Sequence, residues 1–141
     1  MRNILQFAAS LVLLVHYLLH GGRGNGRQLI FSGLLLWVTN VLLFGLWYWQ
    51  LDRGGPLERA LEATHPPDFM FPQMSDPQWA PRAWRPGLID YMYVSFTNST
   101  AFSPTDSMPL SPAAKLLMGG QSVVALLTLA LVVARAVNIL R

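Results

Sequence analysis

The chain has 141 residues, 52% of them hydrophobic and only 12% charged, where a soluble domain carries about 25% charged residues. The net charge of +3 comes from scattered arginines beside apolar runs, which argues for membrane anchoring and against a nucleic-acid footprint. The absence of cysteine excludes disulfides, thiolate catalysis and cysteine-based metal sites.

Three segments are apolar enough to enter or cross a bilayer. The first, Ile4 to Leu19, reads ILQFAASLVLLVHYLL. At about 1.5 Å per residue it spans about 24 Å, short of a hydrocarbon core of about 30 Å. Arg2 before it gives it the look of a signal peptide. His16, Tyr17 and His20, however, stand where a small-residue cleavage site would fall, so it reads as a retained short helix. His16 and His20 share a helix face, but no third metal ligand is nearby, and the pair is placed at the cytoplasmic interface. The loop HGGRGNGR that follows carries Arg23 and Arg27, and residues 1–27 form the N-terminal region.

Residues 28–51 are predicted as an outer transmembrane helix. The run ends in Trp47-Tyr48-Trp49, rings suited to headgroup level, and Asp52-Arg53-Gly54-Gly55-Pro56 stops it. Gly33 and Gly45 read as close-packing positions. Thr39 reads as back-bonded to its own helix, and Asn40 as the source of one interhelical hydrogen bond. Residues 52–86 are rich in proline, with Phe69, Phe71, Trp79 and Trp84 interleaved, which predicts an ordered extracytoplasmic cap rather than a long helix. Glu58, Glu62 and His65 in this cap are too sparse a set to be read as a metal site.

Residues 87–112 change character. Asp90 is read as the cap of a short aromatic helix of about ten residues, too short to span. The polar strip SFTNSTAFSPTD, residues 95–106, follows it. Small hydroxyl and amide groups at membrane depth are costly against lipid but can replace part of an ion's hydration shell. The layout is that of a pore helix and filter-like loop. Asn98-Ser99-Thr100 also matches a glycosylation acceptor, a reading set aside because membrane depth would hide it from the transferase. Residues 113–141 then form an inner transmembrane helix with Gly119-Gly120 near its start and Arg135 and Arg141 at its end. The arginines of the 20–27 loop and of the C-terminus, put on the cytoplasmic side, make the second and third segments an in-to-out and out-to-in pair. That alternation puts the N-terminus outside, which Arg2 opposes.

From Asp90 to Leu140 the chain resembles the pore module of tetrameric two-helix potassium channels. Ser95-Phe96 opens the strip, Asp106 closes it, Thr100 falls on the first threonine of the family's filter, and Ser111-Pro112-Ala113-Ala114-Lys115-Leu116 matches the lead into the inner helix. It is also similar to bacterial membrane proteins described only as ion-channel-like that share the FTN-T-AFSPTD signature. The filter itself departs. Ser103-Pro104-Thr105 stands where the family has Gly-Tyr-Gly, and Ala101-Phe102 where it has threonine and valine. Glycines allow the alternating backbone angles that aim successive carbonyls inward. Pro104, with φ fixed near −65°, does not, so potassium selectivity is not carried over.

The resemblance implies an all-α membrane protein: two or three transmembrane helices plus a re-entrant pore helix, assembled as a potassium-channel-like homotetramer in the inner membrane. Thr97, Asn98, Ser99, Thr100, Ala101, Phe102, Ser103, Pro104, Thr105 and Asp106 are its expected pore lining. Phe102 or Pro104 would be the constriction and Asp106 a carboxylate ring at the outer mouth; the plainer and first reading of Asp106 is a cap of the turn into Ser107 or a partner of an outer-loop arginine such as Arg82 or Arg85. The expected partners are the bilayer, sister copies and monovalent cations, with no nucleic acid and no cofactor. No catalytic constellation is visible, so an enzyme is not expected. The alternative to conduction is a channel-derived, non-conducting membrane scaffold.

Overall fold

The structure is a computed structural model and describes residues 26–61, 65–76, 78, 84–100 and 106–139. It is mostly helical. Helix α1 (Gly26–Leu51) runs into a 3₁₀ turn at Asp52–Gly54. Short helix α2 (Pro56–Ala60), strand β1 (Phe69–Met70), the one-turn helix α3 (Pro72–Ser75), helix α4 (Leu88–Ser99), strand β2 (Met108–Pro109) and the long helix α5 (Pro112–Ile139) follow. The strands form a single antiparallel pair, Phe69 opposite Pro109 and Met70 opposite Met108, which is the one departure from an all-helical expectation among the described residues. The first apolar segment, with His16 and His20, lies outside the described residues.

Helices α1 and α5 are long and apolar enough to cross a membrane, over Ile30–Gly54 and Pro112–Ala134. Only 22% and 17% of their most apolar windows are buried within the chain, so neither is shielded like the core helix of a soluble protein. Leucines, isoleucine, phenylalanine and valine cover the outside of α1 from Ile30 to Val38 and of α5 from Leu126 to Val137.

The end of α1 is set by backbone geometry. Arg53, Gly54 and Gly55 have φ of 53°, 77° and 104°, a left-handed run that the two glycines tolerate and that stops the helix before Pro56. At the start of α5, Ser111 Oγ accepts the Ala114 N–H at 3.2 Å and Pro112 occupies the first turn, where its missing N–H costs nothing. Helix α4 begins after extended Gly87, whose N–H donates to Asp90 Oδ2 at 2.7 Å. Asp90 therefore caps the helix from its third position, the acidic half of a capping box, rather than from the N-cap itself.

The three helices meet at the Leu51 end of α1. Gly45 lets α4 approach so closely that a Cβ there would lie 2.5 Å from Met92 Sδ and 3.2 Å from Met92 Cα. Gly33 plays the same part against Val132 of α5, with a Cβ distance of 2.7 Å to Cγ2. Both close-packing expectations hold. Thr39 does bond back to Leu35 O, at 2.7 Å, and Asn40 does reach across to α5. The core is aromatic: Phe44 and Tyr48 of α1, Phe69 and Phe71 of the cap, and Tyr91 of α4, with Val94, Ala114 and Met118. Tyr48 meets Phe69 at 5.2 Å and Phe71 meets Tyr91 at 5.4 Å between ring centres, so the described part of the proline-rich connection packs its aromatics against the helices.

Candidate functional site

The path of α4 defines the site. Its first turn is tied to the Leu51 end of α1, where the Tyr91 hydroxyl donates to Asp52 Oδ2 at 2.6 Å. The next residue, Met92, lies against Gly45. Ser95 Oγ donates to Val41 O at 2.7 Å, and Phe96 meets the Trp37 ring edge-on at 5.5 Å. The helix thus descends alongside α1 as far as Trp37, about 21 Å from Leu51 at 1.5 Å per residue. Beside α5 it reaches Ser122, about 15 Å from Pro112. It stops there. The chain leaves α4 at Thr100 and by Met108 is back beside β1 in the cap.

Where α4 ends, a buried polar knot joins all three helices. Gln121, fully buried in an apolar helix, is its hub. Its Nε2 donates to Ser95 Oγ at 2.6 Å, to Ser95 O at 3.0 Å and to Asn40 Oδ1 at 3.1 Å. Its Oε1 accepts from the Tyr48 hydroxyl and from Asn98 Nδ2, the latter at 2.8 Å. Asn98 Nδ2 also donates to Met118 O at 2.9 Å, and Asn98 Oδ1 accepts from Ser122 Oγ at 3.2 Å. Such a network is favourable in an apolar setting because nearly every member is satisfied; Asn40 Nδ2 alone in it lacks a partner among the described residues.

This geometry changes the reading of the polar strip. Thr97, Asn98 and Ser99 belong to the last turn of α4 and not to an extended strand. Thr97 Oγ1 donates to Tyr93 O at 2.9 Å, Ser99 Oγ to Phe96 O at 2.8 Å and Thr100 Oγ1 to Thr97 O at 2.8 Å. Asn98 faces the core of the chain. Ala101, Phe102, Ser103, Pro104 and Thr105 lie outside the described residues. Asp106 is exposed and borders a groove in the cap; Arg82 lies outside the described residues.

A second buried centre, missed by the sequence reading, holds the cap to the helices. Asp52 is fully buried. Its Oδ1 accepts the N–H groups of Asp68 and Phe69 at 2.7 and 3.3 Å, and its Oδ2 accepts Tyr91 and lies 3.9 Å from Arg53 Nε. Arg59 donates to Asp52 O at 2.6 Å and sits over the Trp49 and Tyr91 rings at 5.7 and 5.5 Å. Asp52 reads from sequence as a stop signal. The hydrogen-bond donors to its carboxylate, Asp68, Phe69 and Tyr91, are 16 to 39 residues away, beyond any local pattern. Gln121 carried a clearer hint: an amide inside an apolar spanning run implies a polar partner on another helix.

His65 Nε2 lies 3.9 Å from Glu58 Oε2, a single contact, and no group of three potential metal-binding side chains occurs among the described residues. No family model, curated protein or solved structure matches the chain.

Proposed function

We propose that the chain is one subunit of an oligomeric, ion-channel-like membrane protein, with α1 and α5 crossing the inner membrane and α4 entering it only half-way. The observation that carries this is the path of α4, which stops about half-way along two membrane-length helices before the chain returns to the cap. Irregular backbone at that depth is tolerated only when covered by protein or lining a wet cavity. Sister copies around a common axis supply both conditions, and a tetramer is the arrangement the resemblance implies. The segment from Thr100 to Asp106 then lines the axis, Phe102 or Pro104 narrows it, and four Asp106 carboxylates draw monovalent cations to the outer mouth. The arginine distribution orients the cap outward.

A second reading has one observation in its favour. The hydroxyls of Thr97, Ser99 and Thr100 are turned back onto carbonyls of their own helix and Asn98 is held in the core, so these four side chains already serve the fold of the single chain. A channel-derived scaffold that does not conduct needs none. Flux measurements in liposomes under sodium and potassium gradients separate the two. The conducting reading expects flux above empty vesicles, reduced severalfold by Asp106→Asn and raised by Phe102→Ala. Parent and variants all at the level of empty vesicles would leave the scaffold.

A further inference from the structure

The cap carries an open groove of about 650 Å³, which shares Asp106 with the proposed outer mouth but otherwise lies outside both readings above. Met70 and Met108, cross-strand partners in the β pair, form one wall, and the Phe71 ring backs it. Asp76, just after α3, and Asp106, just before β2, face the same space, with Ser75 beside them. No basic side chain lines the groove among the described residues. Among the described residues Asp76 accepts the Gln78 N–H, at 2.9 Å, and neither carboxylate forms an ion pair. Among the described residues the groove therefore combines two carboxylates that have no cationic partner with an apolar, polarisable wall.

We propose that this groove binds a small organic cation: an ammonium head on an apolar body. The volume fits such a ligand, since small-molecule sites run from roughly 300 to 1,000 Å³. The wall chemistry selects against an inorganic ion. A calcium site needs about six to eight oxygens, and this groove offers two carboxylates and one hydroxyl against two thioethers and a ring. Thioether sulfur and aromatic surface instead suit a weakly hydrated organic cation, whose charge the carboxylates neutralise without having to strip a tight water shell. The inference does not depend on conduction, because the groove lies within one chain.

The test is calorimetric titration of the full chain in lipid nanodiscs with benzyltrimethylammonium, with benzyl alcohol and calcium as comparisons. One saturable site per chain is expected for the ammonium and none for the neutral alcohol. Asp76→Asn keeps an oxygen for the Gln78 N–H, so the fold is preserved, and weakens binding about tenfold by removing one charge. Met108→Ala, at an exposed position, weakens it severalfold. Asp76→Asn leaves ion flux at the parent level, so failure of this site and failure of the channel reading are separable. Equal binding of alcohol and ammonium, an unchanged affinity in Asp76→Asn, or saturable calcium binding with no ammonium binding would overturn the proposal.

Discussion

The two halves of the α1–α5 pair are built differently. At the Leu51 end, α4 and the cap join the helices, and the contacts are aromatic, hydrogen-bonded and buried: Tyr48, Tyr91, Phe69, Asp52, Gln121. Towards the Gly26 end, among the described residues, only α1 and α5 are present; Gly33 meets Val132 closely, and Ile30, Phe31, Leu34 and Leu35 are exposed. In water the bare half would be a liability; against lipid or sister subunits it is ordinary, because apolar side chains cost nothing there. The specific information of the fold is therefore concentrated where α4 is held, and the largest mutational effects are expected there.

Asp52→Ala gives the largest. It leaves the Asp68 and Phe69 N–H groups and the Tyr91 hydroxyl without their acceptor and strands Arg53, at a cost of about 3–5 kcal/mol for breaking a buried charged network. Unfolding of the purified protein by SDS or heat, followed by circular dichroism, reads this directly. A loss below about 1 kcal/mol would mean that the cap is held by its aromatic contacts alone.

Gln121→Leu comes next. It removes the bonds to Tyr48, Asn98, Asn40 and Ser95 while keeping volume. At about 0.6 kcal/mol per interhelical bond in a membrane protein, the expected loss is about 2 kcal/mol. The same variant releases the end of α4, so hydrogen exchange at Asn98–Thr100 should rise while exchange in α5 near Val132 stays unchanged. Equal effects at both ends would dissolve the distinction between the halves.

How much of this was legible in the sequence follows the range of each interaction. The membrane-length helices and the short helix between them follow from composition and length. Gly33, Gly45, Thr39 and Asn40 were legible because small and polar residues in an apolar run have few uses other than close packing, back-bonding and interhelical hydrogen bonds. The polar strip was legible as a break in the pattern but not in its detail. Threonine and serine at a helix end compete for the carbonyls three and four residues back, and that local bond took Thr97, Ser99 and Thr100 before any distant role could. Asp52 and the choice of Asn98 as Gln121's partner depend on pairings across 15 to 40 residues, which no local period encodes.

Glycine substitutions sharpen the comparison at lower cost. Gly45→Ala forces a methyl against the Met92 backbone, which cannot give way, and should cost about 1–3 kcal/mol. Gly33→Ala meets only a valine methyl at the less constrained end, and about 1 kcal/mol is expected.

Gly120→Ala has the smallest expected effect and is the most diagnostic of assembly. Nothing among the described residues lies within 4 Å of a Cβ at this position, and Gly120 is exposed on α5. For an isolated chain, alanine should therefore be neutral or stabilise the helix by up to about 1 kcal/mol through backbone propensity. A sister subunit packed against this face changes the outcome: the added methyl meets the neighbour, and the oligomer weakens although the single chain does not. Mass photometry of parent and variant in nanodiscs, paired with unfolding of each, separates the cases. A stable chain with a reduced oligomer fraction assigns the Gly120 face to subunit contacts. Unchanged oligomers with a slightly more stable chain assign it to lipid or to the axis, and move the search for the interface to the exposed Ile89 and Tyr93 on α4.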